Sequence, residues 1–172
     1  MKKLVMFLAC GLLIGNVVFA QTTGLKVAYI NSAVLLQSMP DKINADSAIA
    51  KYARTFQDQI DMMMKEYQTK GQQYQSSEKT MTDAMKEVKM KEIQDLQNRI
   101  ESTQQSAQEK VQQKKQDLYS PVLEKADKAI KAVAKEKNYD FIFDAASQGG
   151  AIVYSKDDYD ITPLVKAKLG IK

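Results

Sequence analysis

The sequence predicts an α+β fold that is mostly α. A small β body, with three short strands per chain, carries a long protruding antiparallel α-helical coiled-coil hairpin. Three observations predict this. Between Asp41 and Ser120 there is no proline and a single glycine, Gly71, a run far longer than an ordinary globular helix. Inside that run apolar residues recur first in heptads and then every eleven residues. At both ends of it lie short segments rich in strand formers.

The chain begins with a segment that reads as a leader. Lys2 and Lys3 precede an almost wholly apolar stretch from Leu4 to Val18, and Val18-Phe19-Ala20 offers small residues where a signal peptidase cuts. The apolar run is about 15 residues against the roughly 20 that span a bilayer, so residues 1–20 are expected to be a cleaved secretory signal and not an anchor. Leu8-Ala9-Cys10 resembles a lipidation site, but too few apolar residues precede Cys10 and an apolar stretch follows it.

Residues 21–172 then form a single domain. It has a body of residues 21–43 and 122–172 and an arm of residues 44–121. Leu25 to Ile30 is the opening strand, bounded by Gly24 and Asn31. Ser32 is expected to cap a short helix carrying Val34, Leu35, Leu36 and Met39, ended by Pro40.

On the outgoing leg of the arm, Ile49, Ala53, Phe56, Ile60, Met63, Tyr67, Lys70 and Tyr74 alternate in steps of four and three. This is a heptad seam with one charged interruption. Residues 76–84 lose apolar content and favour caps and turns, which places the tip there. On the return leg Met85, Leu96, Ala107, Leu118 and Ala129 lie eleven apart, as do Ile100, Val111, Val122 and Val133. The expected seam is therefore Ile49, Phe56, Ile60, Met63, Tyr67, Tyr74, Met85, Leu96, Ile100, Val111 and Leu118. At 1.5 Å per residue the outgoing leg reaches about 50 Å. Pro121 is expected to kink the returning helix where arm meets body.

The last segment changes character. Tyr139 to Asp144 and Ala151 to Tyr154 read as two strands of a β-hairpin around Gln148-Gly149-Gly150. Thr162 with Pro163 then starts a closing helix. Val27, Tyr29, Ile30, Phe141, Phe143, Ile152 and Val153 are the expected core of the body and of an oligomer. A body this small is marginal alone, and association is the simplest remedy.

Composition excludes most chemistry. There is no histidine, and the one cysteine, Cys10, lies in the leader. The commonest general base, thiolate nucleophiles and the usual zinc ligands are thus missing from residues 21–172, so no enzyme and no metal or other cofactor is expected. Asp157, Asp158 and Asp160 lack the glycine and terminal glutamate of a calcium loop and read as a solvated turn. Without Lys2 and Lys3 the formal charge falls from +4 to +2, and the two signs are interleaved. Neither nucleic acid nor strong contact with a membrane surface is expected of such a balance.

Lys26 to Asn31 followed by Leu35-Leu36-Gln37, the lysine- and glutamine-rich hairpin, and Ala129 to Asp144 running into Asp160-Ile161-Thr162-Pro163 resemble the Skp/OmpH family of periplasmic chaperones. The resemblance implies a homotrimer whose arms enclose a cavity. It implies that unfolded outer-membrane proteins are held there without ATP and kept from aggregating. The arms here balance six Lys+Arg against six Asp+Glu over 41–79, a departure from the basic arms of that family, so no lipopolysaccharide site is carried over. Methionine is the expected grip, because it is flexible and polarizable and suits promiscuous surfaces. Met62, Met64, Met81 and Met90 lie off the seam or at the tip and are the expected client contacts. The competing reading is a structural coiled-coil spacer or assembly adaptor with one fixed partner.

Overall fold

The computed structural model describes residues 24–146 and 152–171. The leader at residues 1–20, the Gln148-Gly149-Gly150 turn and Ala151 lie outside the described residues. The element order is β1 (Val27–Ile30), α1 (Ser32–Ser38), α2 (Pro40–Ser77), α3 (Asp83–Lys137), β2 (Phe141–Asp144) and α4 (Thr162–Lys168). One-turn 3₁₀ segments cover Glu78–Thr80 and Asp157–Tyr159.

Each helix end has a local cause. The Oδ1 of Asn31 accepts from the Val34 N–H at 3.1 Å, so the cap of α1 sits one residue before the expected Ser32. Met39 is extended, and Pro40, whose fixed φ suits a first helical turn, opens α2 as well as closing α1. Thr82 caps α3 by accepting from the Met85 N–H at 3.4 Å. At the far end Asn138 takes the left-handed conformation, φ 54°, and Tyr139 N–H returns to the Ala134 carbonyl at 2.9 Å. The helix α3 runs unbroken through Pro121. Thr162 is the first residue of α4 and not its cap; its N–H and hydroxyl both donate to Asp160 Oδ1, at 2.8 and 2.5 Å.

The sheet differs from expectation. Among the described residues it has two strands, β1 and β2, paired in parallel with Val27 beside Phe141 and Ile30 beside Asp144. The described part of the expected third strand, Ile152 to Tyr154, is not in a strand. The partner of Phe141–Asp144 is distant in sequence, so a local turn signal could not reveal it. Among the described residues, β1 also carries an isolated parallel bridge from Tyr29 to Asp160.

Strand alternation then decides what is core. Ala28 and Ile30 face inward and are buried with Leu35, Met39, Val122, Ala126, Ala129, Val133, Ile161 and Val165. The α3 residues in this cluster fall in steps of four and three, one stripe of the helix, and two are alanines, which let it lie close. Of the expected body core only Ile30 is buried within one chain. Val27, Phe141 and Phe143 are exposed on the outer sheet face, Val153 is 96% exposed, and Tyr29 and Ile152 are half-buried.

Candidate functional site

The long helices α2 and α3 pack together, and their contacts run in opposite directions. Lys125 Nζ lies 2.5 Å from Asp41 Oδ2, and the Tyr119 hydroxyl donates to Asp46 Oδ1 at 2.5 Å. Farther out the Lys110 ammonium sits 5.8 Å from the Phe56 ring centre, and Lys70 Nζ lies 3.5 Å from Glu92. As numbers climb on one helix they fall on the other. At about 1.5 Å per residue α2 is close to 57 Å long and α3 close to 82 Å.

One thin apolar row joins them. Ile60, Met63, Leu96, Ile100 and Ala107 are buried, with Phe56 and Tyr67 packed against them. Ile49, Tyr74, Val111 and Leu118 are half-buried. Met85 does not join the row and is 52% exposed. The register explains this. Met85 would face a residue near 79, and α2 has already ended at Ser77. Ile93 stands in the place the sequence reading left empty, sharing a hollow with Tyr74 and Met81. The charged interruption at Lys70 is satisfied by Glu92 across the pair and by Glu66 at 3.8 Å on its own helix.

Charge at the arm root is arranged as a cross-helix tie. Lys42 Nζ donates to Asp46 Oδ2 at 2.7 Å while Tyr119 donates to the other oxygen. Those hydrogen bonds, from Lys42 first, hold the Asp46 carboxyl below the usual range, and the bond to Asp46 pushes the Tyr119 phenol up. The Asp144 carboxylate ties β2 to the start of α1, accepting from Ser32 N–H at 3.1 Å and Ser32 Oγ at 2.5 Å, and from Ala146 N–H at 2.9 Å. Partial burial pushes this carboxyl up, but those hydrogen bonds outweigh it and hold it low.

Two apolar surfaces stand exposed among the described residues. On the arm, Met62 is 67% exposed, Met90 58% and Met64 39%, while Met81 is half-buried at the turn. Val88, which the sequence did not single out, and Met85, expected in the seam, are both exposed near the tip. Their distance from the end of α2 was the available signal. On the body, the outer sheet face holds a hollow of about 640 Å³ lined by Val27, Tyr29, Phe143, Ile152, Val153 and Tyr159. The Phe141 and Phe143 rings stack beside it, 6.5 Å between centres. Among the described residues no group of three or more His, Cys, Asp or Glu side chains is placed to hold a metal ion. No helix among them is long and apolar enough to cross a membrane.

A long two-helix limb rooted in a small sheet defines a recognisable class. The model of the OmpH-like outer membrane protein family matches residues 26–169. The chain belongs to that family. Its fold is also similar to a crystal structure described as an OmpH-like outer membrane chaperone from Caulobacter crescentus CB15. The TM-score is 0.74 at 16% identity, over 85% of this chain and 84% of that one. No curated protein matches.

Proposed function

We propose that the chain is an exported, ATP-independent holdase of the periplasm. It binds unfolded outer-membrane proteins between helical arms and prevents their aggregation. In this reading residues 1–20 are removed on export, α2 and α3 wind into a coiled-coil arm, and no catalytic step is involved. The observation that carries it is the division of the arm's methionines. Met63 fills the row between the helices, whereas Met62, Met64 and Met90 are exposed on a largely polar limb. Exposed, flexible thioethers on a solvated helix pair offer adaptable contacts to unfolded chains.

The body supports association. A two-stranded sheet with an apolar outer face gains most of its missing burial from further copies, and family membership favours a homotrimer. The arms would then surround a cavity. The near-balance of charge along them supports weak contact with membrane surfaces and none with nucleic acid.

The test combines Met62→Gln, Met64→Gln, Met81→Gln and Met90→Gln in one variant. The expected result is poorer suppression of aggregation of a urea-unfolded barrel protein, with helicity unchanged. A variant that protects as well as its parent refutes the methionine grip. Sedimentation of residues 21–172 is expected to give an elongated trimer, and the spacer reading gains if only one partner is ever protected.

A further inference from the structure

We propose that Met62, Met64, Met85 and Met90 are oxidation sites for hydroperoxides, and that their conversion to sulfoxides releases held polypeptide. The chemical part stands on composition and exposure. Beyond the leader the chain has no cysteine, and it has no histidine or tryptophan. Methionine is therefore the side chain that peroxide meets first. Of the seven methionines of α1–α3 and their joints, all but the half-buried Met81 divide sharply. Met62, Met85 and Met90 are more than half exposed and Met64 is 39% exposed, whereas Met39 is 1% and Met63 9% exposed. Met62, Met63 and Met64 are consecutive on α2, so one helical turn offers both open and shielded thioethers, a control built into the chain.

The step balances without any further cofactor. A sulfur lone pair attacks one oxygen of the hydroperoxide, the S–O bond forms as the O–O bond breaks, and a proton transfer leaves water or an alcohol. Sulfur is oxidised and the peroxide is reduced. The product is polar and chiral where the thioether was apolar and freely adaptable. Because these four side chains belong to neither apolar cluster, their oxidation leaves the fold standing. Met39, locked in the body core, and Met63, in the helix-pair row, could not be oxidised so harmlessly. Loss of grip without loss of structure is what a reversible switch requires, and sulfoxide-reducing enzymes restore the thioether.

The effect on release rests on the holding role proposed above; the order of oxidation does not. The full exported chain is treated with hydrogen peroxide and mapped by tandem mass spectrometry over time. Met62, Met64, Met85 and Met90 are expected to gain oxygen about tenfold faster than Met39 and Met63. Either shielded residue keeping pace overturns the site assignment. Binding of an unfolded barrel protein is then measured before and after treatment, with circular dichroism on the same samples. A loss of about tenfold in affinity at constant helicity is expected, recovered on incubation with methionine sulfoxide reductase. A variant carrying Met62→Leu, Met64→Leu, Met85→Leu and Met90→Leu should bind equally well before and after peroxide. Equal loss in that variant, no loss in the parent, or failure of the reductase to restore binding overturns the switch. If untreated protein binds no client, the holding role falls and the switch with it, while the oxidation map still stands or falls on its own.

Discussion

Gly71 lies inside α2, six residues before its end at Ser77, where an ordinary helix would carry a side chain. A β-carbon built there meets no atom within 4 Å, and its φ is not in the left-handed region. Neither of the usual reasons for a glycine inside a helix, close approach or special backbone, applies. Gly71→Ala should therefore stabilise the outer arm by about 1 kcal/mol, the helix-propensity difference, part of it from a less free unfolded chain. In a local opening equilibrium that is roughly a fivefold shift. Native-state hydrogen exchange reads it directly. Amides from Tyr67 to Ser77 should exchange about fivefold more slowly, while those of Ala28 and Ile30 in the body keep their rates. Exchange that is unchanged or faster near residue 71 would show that the apparent space is needed for helix approach. An equal slowing in the body would show that arm and body open as one cooperative unit, against the separation of the two apolar clusters.

Three further outcomes follow from the structure. Leu35 is fully buried in the body core, so Leu35→Ala should cost about 3–5 kcal/mol and lower the urea midpoint without changing the slope much. Asn138 holds the left-handed cap of α3, so Asn138→Gly should be nearly neutral and Asn138→Ala should cost about 1 kcal/mol, read from the same urea curves. Asp144 has a carboxyl held below its ordinary value of 3.8, so its contribution is complete above that pH and disappears as pH falls through the lower, folded-state value. The body should lose stability on going from about pH 5 to about pH 3, and Asp144→Asn should flatten that dependence. Urea midpoints at the two pH values measure it.

The arm was largely legible because its signals are local. A four-and-three spacing on one helix and an eleven-residue spacing on the next name Ile60, Met63, Leu96 and Ile100, and these are the residues buried together. Met85 failed because periodicity says which face a residue lies on, not whether the opposite helix is still present. Ile93 was missed for the complementary reason: it sits one step off the eleven-residue ladder, and only the register brings it to Tyr74. The body was harder. Phe141–Asp144 is a strand by composition, but its parallel partner lies beyond the whole arm, so the nearer Ile152–Tyr154 looked the better mate. Apolar residues alone could not separate Ala28 and Ile30, which face inward, from Val27 and Phe143, which face out. The methionines gave residue type but not exposure, and exposure is what separates Met62 and Met90 from the buried Met63.

The parallel pairing has a consequence for how the molecule comes into being. The Lys26 N–H donates to Asp140 Oδ2 at 2.6 Å across 114 residues of chain, a long loop to close unaided. Once the limb has zipped from its turn downward, through contacts between near neighbours, the two ends are delivered side by side. The trunk is therefore expected to assemble after the limb, and a defect such as Leu96→Ala should delay the trunk's formation although it touches none of its atoms.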